Sequence, residues 1–359
     1  MRVLTPYAAL MLLLASLAVA TASTRYVALD GNSTPPFDSL ETAAQTLQEA
    51  AELCEPGDEI LVAPGVYANG GAAAGSSLTN RVVVPDGVAL RSIAGAKETI
   101  IEGVNPSSSN AVRCVKLGFD ASVEGFTIRG GGTRSYLQDI YKAQSGGGVA
   151  CEAGAEVIDC IIIDNEAYNY GGGVSGGTVR RSVISGNSAL RGGGTAFSEL
   201  DECVVAHNTV SHIGAGVYRS RMRHSTVVSN RSAYAGGGVY ETDAEDSVIV
   251  DNHADWVAHN YKWGVFSNVC THPVPERGTN NFFDAAAVVA RGAGAPREIV
   301  ALVPQYVVRK RADAPTRLDR KKAQLGLIDL PPKNKRRKKT PKAQPPEPES
   351  QPTADTDLE

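Results

Sequence analysis

An asparagine and a glycine triplet return together along the middle of this chain, about every 22 residues. Five segments align on the asparagine: VIDCIIIDN ending at Asn165, VRRSVISGN at Asn187, LDECVVAHN at Asn208, MRHSTVVSN at Asn230 and AEDSVIVDN at Asn252. Their intervals are 22, 21, 22 and 22 residues. Glycine clusters keep the same beat, as GGGV from Gly146 and Gly171, GGGT from Gly192, GAGV from Gly214 and GGGV from Gly236. The runs before each Asn are short and β-branched with turn residues between them, so they read as strands. A unit of this length cannot bury an apolar face alone, but stacked units bury a continuous core. The leucine skeleton of a leucine-rich repeat is absent. The solution left is all-β: a parallel β-helix with one coil per repeat.

In such a helix equivalent residues stack at the strand spacing of ~4.8 Å. The repeated Asn165, Asn187, Asn208, Asn230 and Asn252 then form a ladder of stacked amides, and Asn itself tolerates a left-handed turn. The glycines mark a corner of the coil. No lysine-bearing phosphate loop follows any triplet. Five residues before each Asn stand Cys160, Ser182, Cys203, Ser225 and Ser247, a small inward column. Cys160 and Cys203 are two coils apart, roughly 9.6 Å by strand spacing, too far for a disulfide. Six before each Asn come Asp159, Arg181, Glu202, His224 and Asp246, and seven before come Ile158, Arg180, Asp201, Arg223 and Glu245. Charges of alternating sign on neighbouring coils read as solvated ladders that fix register, each pair contributing roughly 0.2–1 kcal/mol.

The flanks differ from the repeats. Residues 1–22 have one arginine, an apolar run from Ala8 to Ala20 and small residues at the end, the layout of a secretory signal peptide cleaved after Ala20 or Ala22. That run is shorter than the ~20 residues of a membrane span, and no later segment is apolar enough to be one. The expected β-helix domain covers 23–310, with regular repeats over 146–254 and irregular C-terminal coils over 255–310. A helical pattern near 40–53, with Asp38 and Glu41 spaced as a capping box, is expected to cover the first coil. The formal net charge is −4, yet residues 309–342 hold fourteen Lys or Arg against three Asp, so the rest is clearly acidic. Residues 311–359 are a basic, then acidic, proline-rich tail, expected to be largely disordered. The run KNKRRKKTPK is like a nuclear signal, but an exported chain does not meet that machinery. Nucleic acid is therefore not an expected partner, whereas an anionic wall or membrane surface is.

The chain resembles the right-handed parallel β-helix proteins of the pectin-lyase-like superfamily. The carriers are YVALDGNSTPPFDSLETAAQTLQEA with PGDEILVAPGVY, similar to the N-terminal cap and first coil of secreted bacterial members. The GGGV and VVSN-type segments also resemble the repeats of polymorphic outer-membrane proteins. Together they span residues 26–270. The resemblance implies a secreted, periplasmic or cell-surface location. It implies no single activity, because the fold hosts lyases, hydrolases, adhesins and surface proteins. The tail lacks the length for the membrane barrel of polymorphic outer-membrane proteins. The calcium-binding aspartates of pectate lyases and the Gly-His-Gly and Arg-Ile-Lys motifs of polygalacturonases are missing.

The best cluster for handling sugars is an outward strip holding Tyr218, Arg219, Arg221 and Tyr240. Tyr218 and Tyr240 follow glycine clusters at equivalent positions one coil apart. Ala150, Ser175 and Ala196 precede them in the column, which predicts a shallow groove with an aromatic platform at one end. Aromatic faces suit sugar rings and Arg suits carboxylates. His207 shares a column with Asp164 and Asp251, each two coils away, too far for a catalytic hydrogen bond. No metal-ligand spacing is present among the six histidines and six cysteines, and no cofactor is expected; calcium would enter only with lyase chemistry. Two functions remain open: a non-catalytic surface or glycan-interaction protein of the cell envelope, and a polysaccharide lyase or glycoside hydrolase acting on an acidic polysaccharide.

Overall fold

Each coil lays down strands in turn on three long parallel sheets. In the computed structural model, which describes residues 22–105, 110–134, 143–275 and 278–281, one such coil runs Val149–Cys151, Glu156–Ile158 and Ile161–Ile163. The first strand of each coil joins sheet 3, the second sheet 1 and the third sheet 2. Sheet 1 has eleven strands, sheets 2 and 3 nine each, and a four-stranded sheet 4 is added where Ser188–Arg191, Thr209–Ile213, Arg231–Ser232 and His253–Ala254 stack. Among the described residues all pairings are parallel except that of Ala72–Ala73 with Thr79–Val84 and the isolated bridge of Val104 with Val112. The described residues lie in one unit, Met1–Ala314. The second unit, Pro315–Glu359, lies outside them. So do the expected leader up to residue 21, residues 282–310 of the expected solenoid and the whole tail. No described helix is long and apolar enough to cross a membrane.

Side chains alternate across each strand, so one aliphatic position per strand enters the core. Val157, Val179, Leu200, Met222, Ala244 and Phe266 stack in register on sheet 1. Ile162, Ile184, Val205, Val227 and Ile249 do the same on sheet 2. All are buried in one core that runs the length of the solenoid.

The corners are built from left-handed residues followed by an inward polar one. Between sheets 1 and 2, Asp159, Arg181, Glu202, His224 and Asp246 have φ of 47–55°. The next residue turns in, and a ladder forms: Cys160 N–H donates to Ser182 Oγ at 3.1 Å, Cys203 N–H to Ser225 Oγ at 3.1 Å and Ser225 N–H to Ser247 Oγ at 3.2 Å. All six cysteines are free thiols. The outward charges pair between coils, as in the two-pronged contact of Arg181 with Asp159 at 2.8 and 3.1 Å.

After sheet 2 the same device carries the asparagines. The left-handed residue is not the Asn, as expected from the sequence, but its predecessor: Asp164, Gly186, His207, Ser229 or Asp251. A bent predecessor frees each Asn to point inward, where all five are buried.

The glycine triplet keeps step with this ladder for steric reasons. Gly171 has φ of 62°. A Cβ on Gly172 would run into the Ser188 carbonyl oxygen, and one on Gly173 would lie 3.1 Å from Asn187 Nδ2. The third glycine of each triplet therefore makes room both for a main-chain carbonyl of the next coil and for the ladder amide of the same coil. The middle position accepts a methyl in one coil, where Ala215 is buried.

Strands stay 22 residues apart beyond the last triplet, with Val239 paired to Tyr261 and Val248 to Cys270. The triplet is replaced by Ala258, His259 and Asn260. Ala258 adopts the left-handed φ of 61° itself. Asn260, at the third-glycine position, sends its Oδ1 to the Asn252 N–H at 3.0 Å. It takes the place of the next ladder residue and closes the row.

The first coil is covered, but by a helix shorter than the one expected near 40–53. Thr42 Oγ1 bonds Asp38 and Ser39, which turns the chain. Ala44 then pairs beside Val27 as an extended segment. Helix α1 is only Leu47–Ala51, and its capping box is Thr46 with Glu49, not Asp38 with Glu41. Leu47, Ala50 and Ala51 are fully buried, and Gln48 Oε1 accepts the Val83 N–H at 2.9 Å. This cap shields the open edge from pairing with another chain.

Candidate functional site

Sheet 3 presents one outward column along the solenoid. Lys116, Ala150, Ser175, Ala196, Tyr218, Tyr240 and Lys262 stand in register. Their neighbours Val149, Val174, Val217 and Val239 fill the core, so this column faces away from it. Small residues on successive coils leave a trough. A cleft of about 200 Å³ occupies it, lined by Lys116, Ser145, Ala150, Cys151, Glu152, Tyr170, Ser175 and Phe197. A second cleft of about 270 Å³ adjoins it, lined by Ala74, Gly75, Ser76, Arg113, Lys116, Ala143 and Glu152. Lys116 and Glu152, paired at 2.8 Å, are common to both.

The polar groups of the clefts are held in different ways. The Arg113 guanidinium is buried and donates to the carbonyls of Ser145 at 2.8 Å and Gly146 at 2.9 Å and to Asn80 Oδ1 at 2.8 Å. Burial pushes its pKa down to about 10. Burial pushes the Cys151 thiol up to about 12, so it stays protonated and is a poor nucleophile. Ser145 Oγ is buried and has no hydrogen-bond partner among the described residues. An unsatisfied buried hydroxyl is costly, and this one belongs to a cleft-lining residue.

The aromatic wall is not the one read from the sequence. Tyr218 and Tyr240 do stack, with centroids 5.8 Å apart. Tyr218, however, is only 4 % exposed, packed with Ala196, Ile213 and Ala235 in a small apolar cluster outside the main core. Tyr170 stacks on its other side at 5.7 Å, and Phe197 meets both rings edge-on. These two residues cover Tyr218 and wall the cleft. Arg191 lies over Tyr170, 5.5 Å from its ring centre, and donates to its hydroxyl at 3.4 Å.

Arg219 lies over Tyr218 at 5.4 Å and is paired with Glu241. Arg221 is not with them: it lies on sheet 1, beyond the next corner, and pairs with Glu199 at 3.6 Å. The structure thus groups Tyr218, Arg219 and Tyr240, and leaves Arg221 on another face. Sequence reasoning missed Tyr170, Phe197, Ser145, Lys116 and Glu152. One signal was available: the residue before each triplet forms its own column of Tyr170, Arg191, Ile213, Ala235 and Val257.

A family model described as "Periplasmic copper-binding protein (NosD)" matches residues 96–261. No curated protein matches the chain. Among solved structures, pectate lyase Pel9A is similar over 70 % of this chain and 70 % of its own, at 14 % identity and a TM-score of 0.47. Pectin methylesterase PemA from Erwinia chrysanthemi is similar over 78 % of this chain and 98 % of its own, at 12 % identity and a TM-score of 0.42. Polygalacturonase from Erwinia carotovora ssp. carotovora is similar over 74 % and 94 %, at 12 % identity and a TM-score of 0.31. The architecture itself is decided by three parallel sheets that gain one strand each per coil. The chain is a right-handed parallel β-helix. On this β-helix the paired clefts lie along the outer face of sheet 3, and the charge ladders lie on sheet 1 and its corner.

Proposed function

We propose that this β-helix is a non-catalytic protein of the cell envelope that holds a glycan chain along the outer face of sheet 3. One observation carries the reading: the buried, unpartnered Ser145 hydroxyl belongs to a cleft walled by Tyr170 and Phe197. A sugar hydroxyl would supply the partner that the Ser145 hydroxyl lacks, and its apolar C–H edges suit the rings. Each cleft is smaller than the ~300 Å³ of pockets for drug-sized ligands, which suits single units of a polymer laid across the trough. Lys116 and Arg113 add positive charge where an acidic unit would lie. The matched family is described as periplasmic, which supports an envelope location.

The non-catalytic part rests on the carboxylates. Glycoside hydrolysis uses two of them ~5–9.5 Å apart across one sugar. Among the described residues, those lining the clefts include one, Glu152, held by Lys116. Glu241, Glu199, Asp159 and Asp201 are each tied to an arginine elsewhere on the solenoid.

The matched family is also described as copper-binding. The described residues do not fit a copper centre, which favours imidazole and exposed sulfur ligands. Burial pushes the thiols of Cys114, Cys160 and Cys203 up to about 12, and Met222 is buried. The histidine pair His253 and His259 has ring centres 5.0 Å apart. His259 Nδ1 accepts the Ala254 N–H, so in the neutral ring the proton sits on Nε2, the nitrogen a metal would need.

Electrophoresis through gels containing uronate and neutral polysaccharides tests the reading, with ultraviolet absorbance of unsaturated products followed in parallel. Retardation without product is expected. Release of unsaturated or reducing ends would establish the enzyme instead, and migration unaffected by every polymer would remove glycan binding.

A further inference from the structure

The trough on sheet 3 is open at one end and shut at the other. Its floor is Ala150 and Ser175, half-buried and side by side on successive coils. The next residue of the column, Ala196, is fully buried. It lies in a cluster with Ile213, Tyr218 and Ala235, and Tyr170 packs against that cluster. The column therefore ceases to be an open surface after two coils. Tyr170 and Phe197, edge to face at 5.1 Å, wall the cleft at that end.

The wall is braced from behind. Tyr218 stacks on Tyr170 at 5.7 Å and meets Phe197 edge-on at 5.7 Å, and Tyr240 stacks in turn on Tyr218. Arg191 covers Tyr170 and donates to its hydroxyl. A file of packed rings thus fills the line along which a bound polymer would have to run on. At the other end the Lys116–Glu152 pair belongs to both clefts, so the trough continues past it toward Ala74, Gly75 and Ser76. There a Cβ added to Gly75 would meet nothing within 4 Å.

A polymer gripped at an interior unit needs open floor on both sides, and this trough has it on one. We propose that the site holds the end of a glycan chain. The terminal unit lies on Ala150 and Ser175 against Tyr170 and Phe197, and the unit before it crosses the Lys116–Glu152 pair. An ammonium has three donors, and Lys116 gives one to Glu152 at 2.8 Å, so the pair presents a donor beside an acceptor to the crossing unit. The inference rests on the glycan reading of the clefts and adds that chain ends, not chain interiors, are the ligand.

The number of protein molecules bound per glycan chain separates an end from an interior. Short fragments and long chains of polygalacturonate, and of a neutral xylan, are titrated in a calorimeter by the molar concentration of chains. For the polymer that binds, one protein per chain is expected at both lengths, with the same affinity per chain. Many proteins on each long chain, in proportion to its length, would overturn the proposal and leave the glycan reading intact. Heat from neither polymer at either length would overturn both. Ser175→Tyr places on the floor the side chain that the column already carries at Tyr218 and Tyr240, so the variant should keep its circular dichroism spectrum and lose binding. A folded Ser175→Tyr that binds as the parent does would overturn the placement of the terminal unit.

Discussion

Asn187 Oδ1 accepts both donors of Asn165, the main-chain N–H and the side-chain Nδ2, each at 3.0 Å. The relationship repeats along the row, and Nδ2 of each Asn also donates to a carbonyl of the preceding coil, as Asn187 does to Ile162 at 3.0 Å. At the start of the row Gly131 N–H donates to Asn165 Oδ1 at 2.8 Å. Every buried polar atom of this row thus has a partner supplied by a neighbouring coil, and the ladder ties each coil to the next.

Replacing Asn208 by Leu removes the acceptor for the Asn187 N–H and Nδ2. The Asn187 N–H is left unpaired while Nδ2 keeps the Ile162 and Ser185 carbonyls, so the loss should be about 1–3 kcal/mol. Urea unfolding measures this, and a loss too small to detect would contradict the ladder's role in stability.

Glycine substitutions should separate strain from collision. A Cβ on Gly194 would stand 2.8 Å from Val205 Cγ1 and 3.0 Å from Asn208 Nδ2. Gly194→Ala should therefore cost about 2 kcal/mol or more, as overpacking does. Gly75 has φ of 66° but nothing within 4 Å of such a Cβ. Gly75→Ala should cost only the left-handed penalty, about 1 kcal/mol. Equal losses in thermal unfolding would refute the assignment of the third glycine to the ladder.

Tyr218 is packed under Tyr170 and Phe197, so Tyr218→Ala should lower stability by about 3 kcal/mol. Its effect on glycan affinity should follow only from disturbing the two rings above it. A variant of unchanged melting temperature with abolished binding would return Tyr218 to the binding surface.

Acid should loosen the sheet 1 corner. Partial burial alone would raise the Asp201 carboxyl, but hydrogen bonds from His224 and Arg223 outweigh it and hold the pKa below the usual range. A carboxyl lowered in the folded state adds stability above its unfolded pKa, near 3.9, and loses it as pH falls through the folded value. Asp201→Asn should thus flatten the acid limb of the stability profile below about pH 4. Parallel acid limbs for variant and parent would show that the pairing is not felt.

The parts of this molecule that repeat were legible, because every coil restates them: the strands, the Asn column, the inward Ser and Cys column and the charge pairs. What depends on one coil alone was not. The position of Tyr218 in its column is visible in the sequence, but its burial is made by Ile213, Ala235, Tyr170 and Phe197 from other corners. Arg221 looked adjacent to Tyr218 in sequence, yet a left-handed residue, Arg219, turns the chain onto another sheet between them. The cap differs for a similar reason. The 38–42 stretch has helical spacing, but the side chains of Asp38, Ser39 and Thr42 bond to each other locally, the competition that makes such residues poor helix formers. The last coil hid its period because Asn260 does the work of a ladder residue from a glycine position.

The proposed binding face is tested most directly by titrating the best-retained oligosaccharide against the parent and Phe197→Ala in a calorimeter. Phe197 is 45 % exposed but contacts Tyr170 and Tyr218, so its loss should cost about 1–3 kcal/mol and leave the chain folded. The affinity should fall about tenfold, as expected for lost aromatic contacts. Undiminished affinity in a folded variant would contradict the placement of the glycan in the cleft between Lys116 and Phe197.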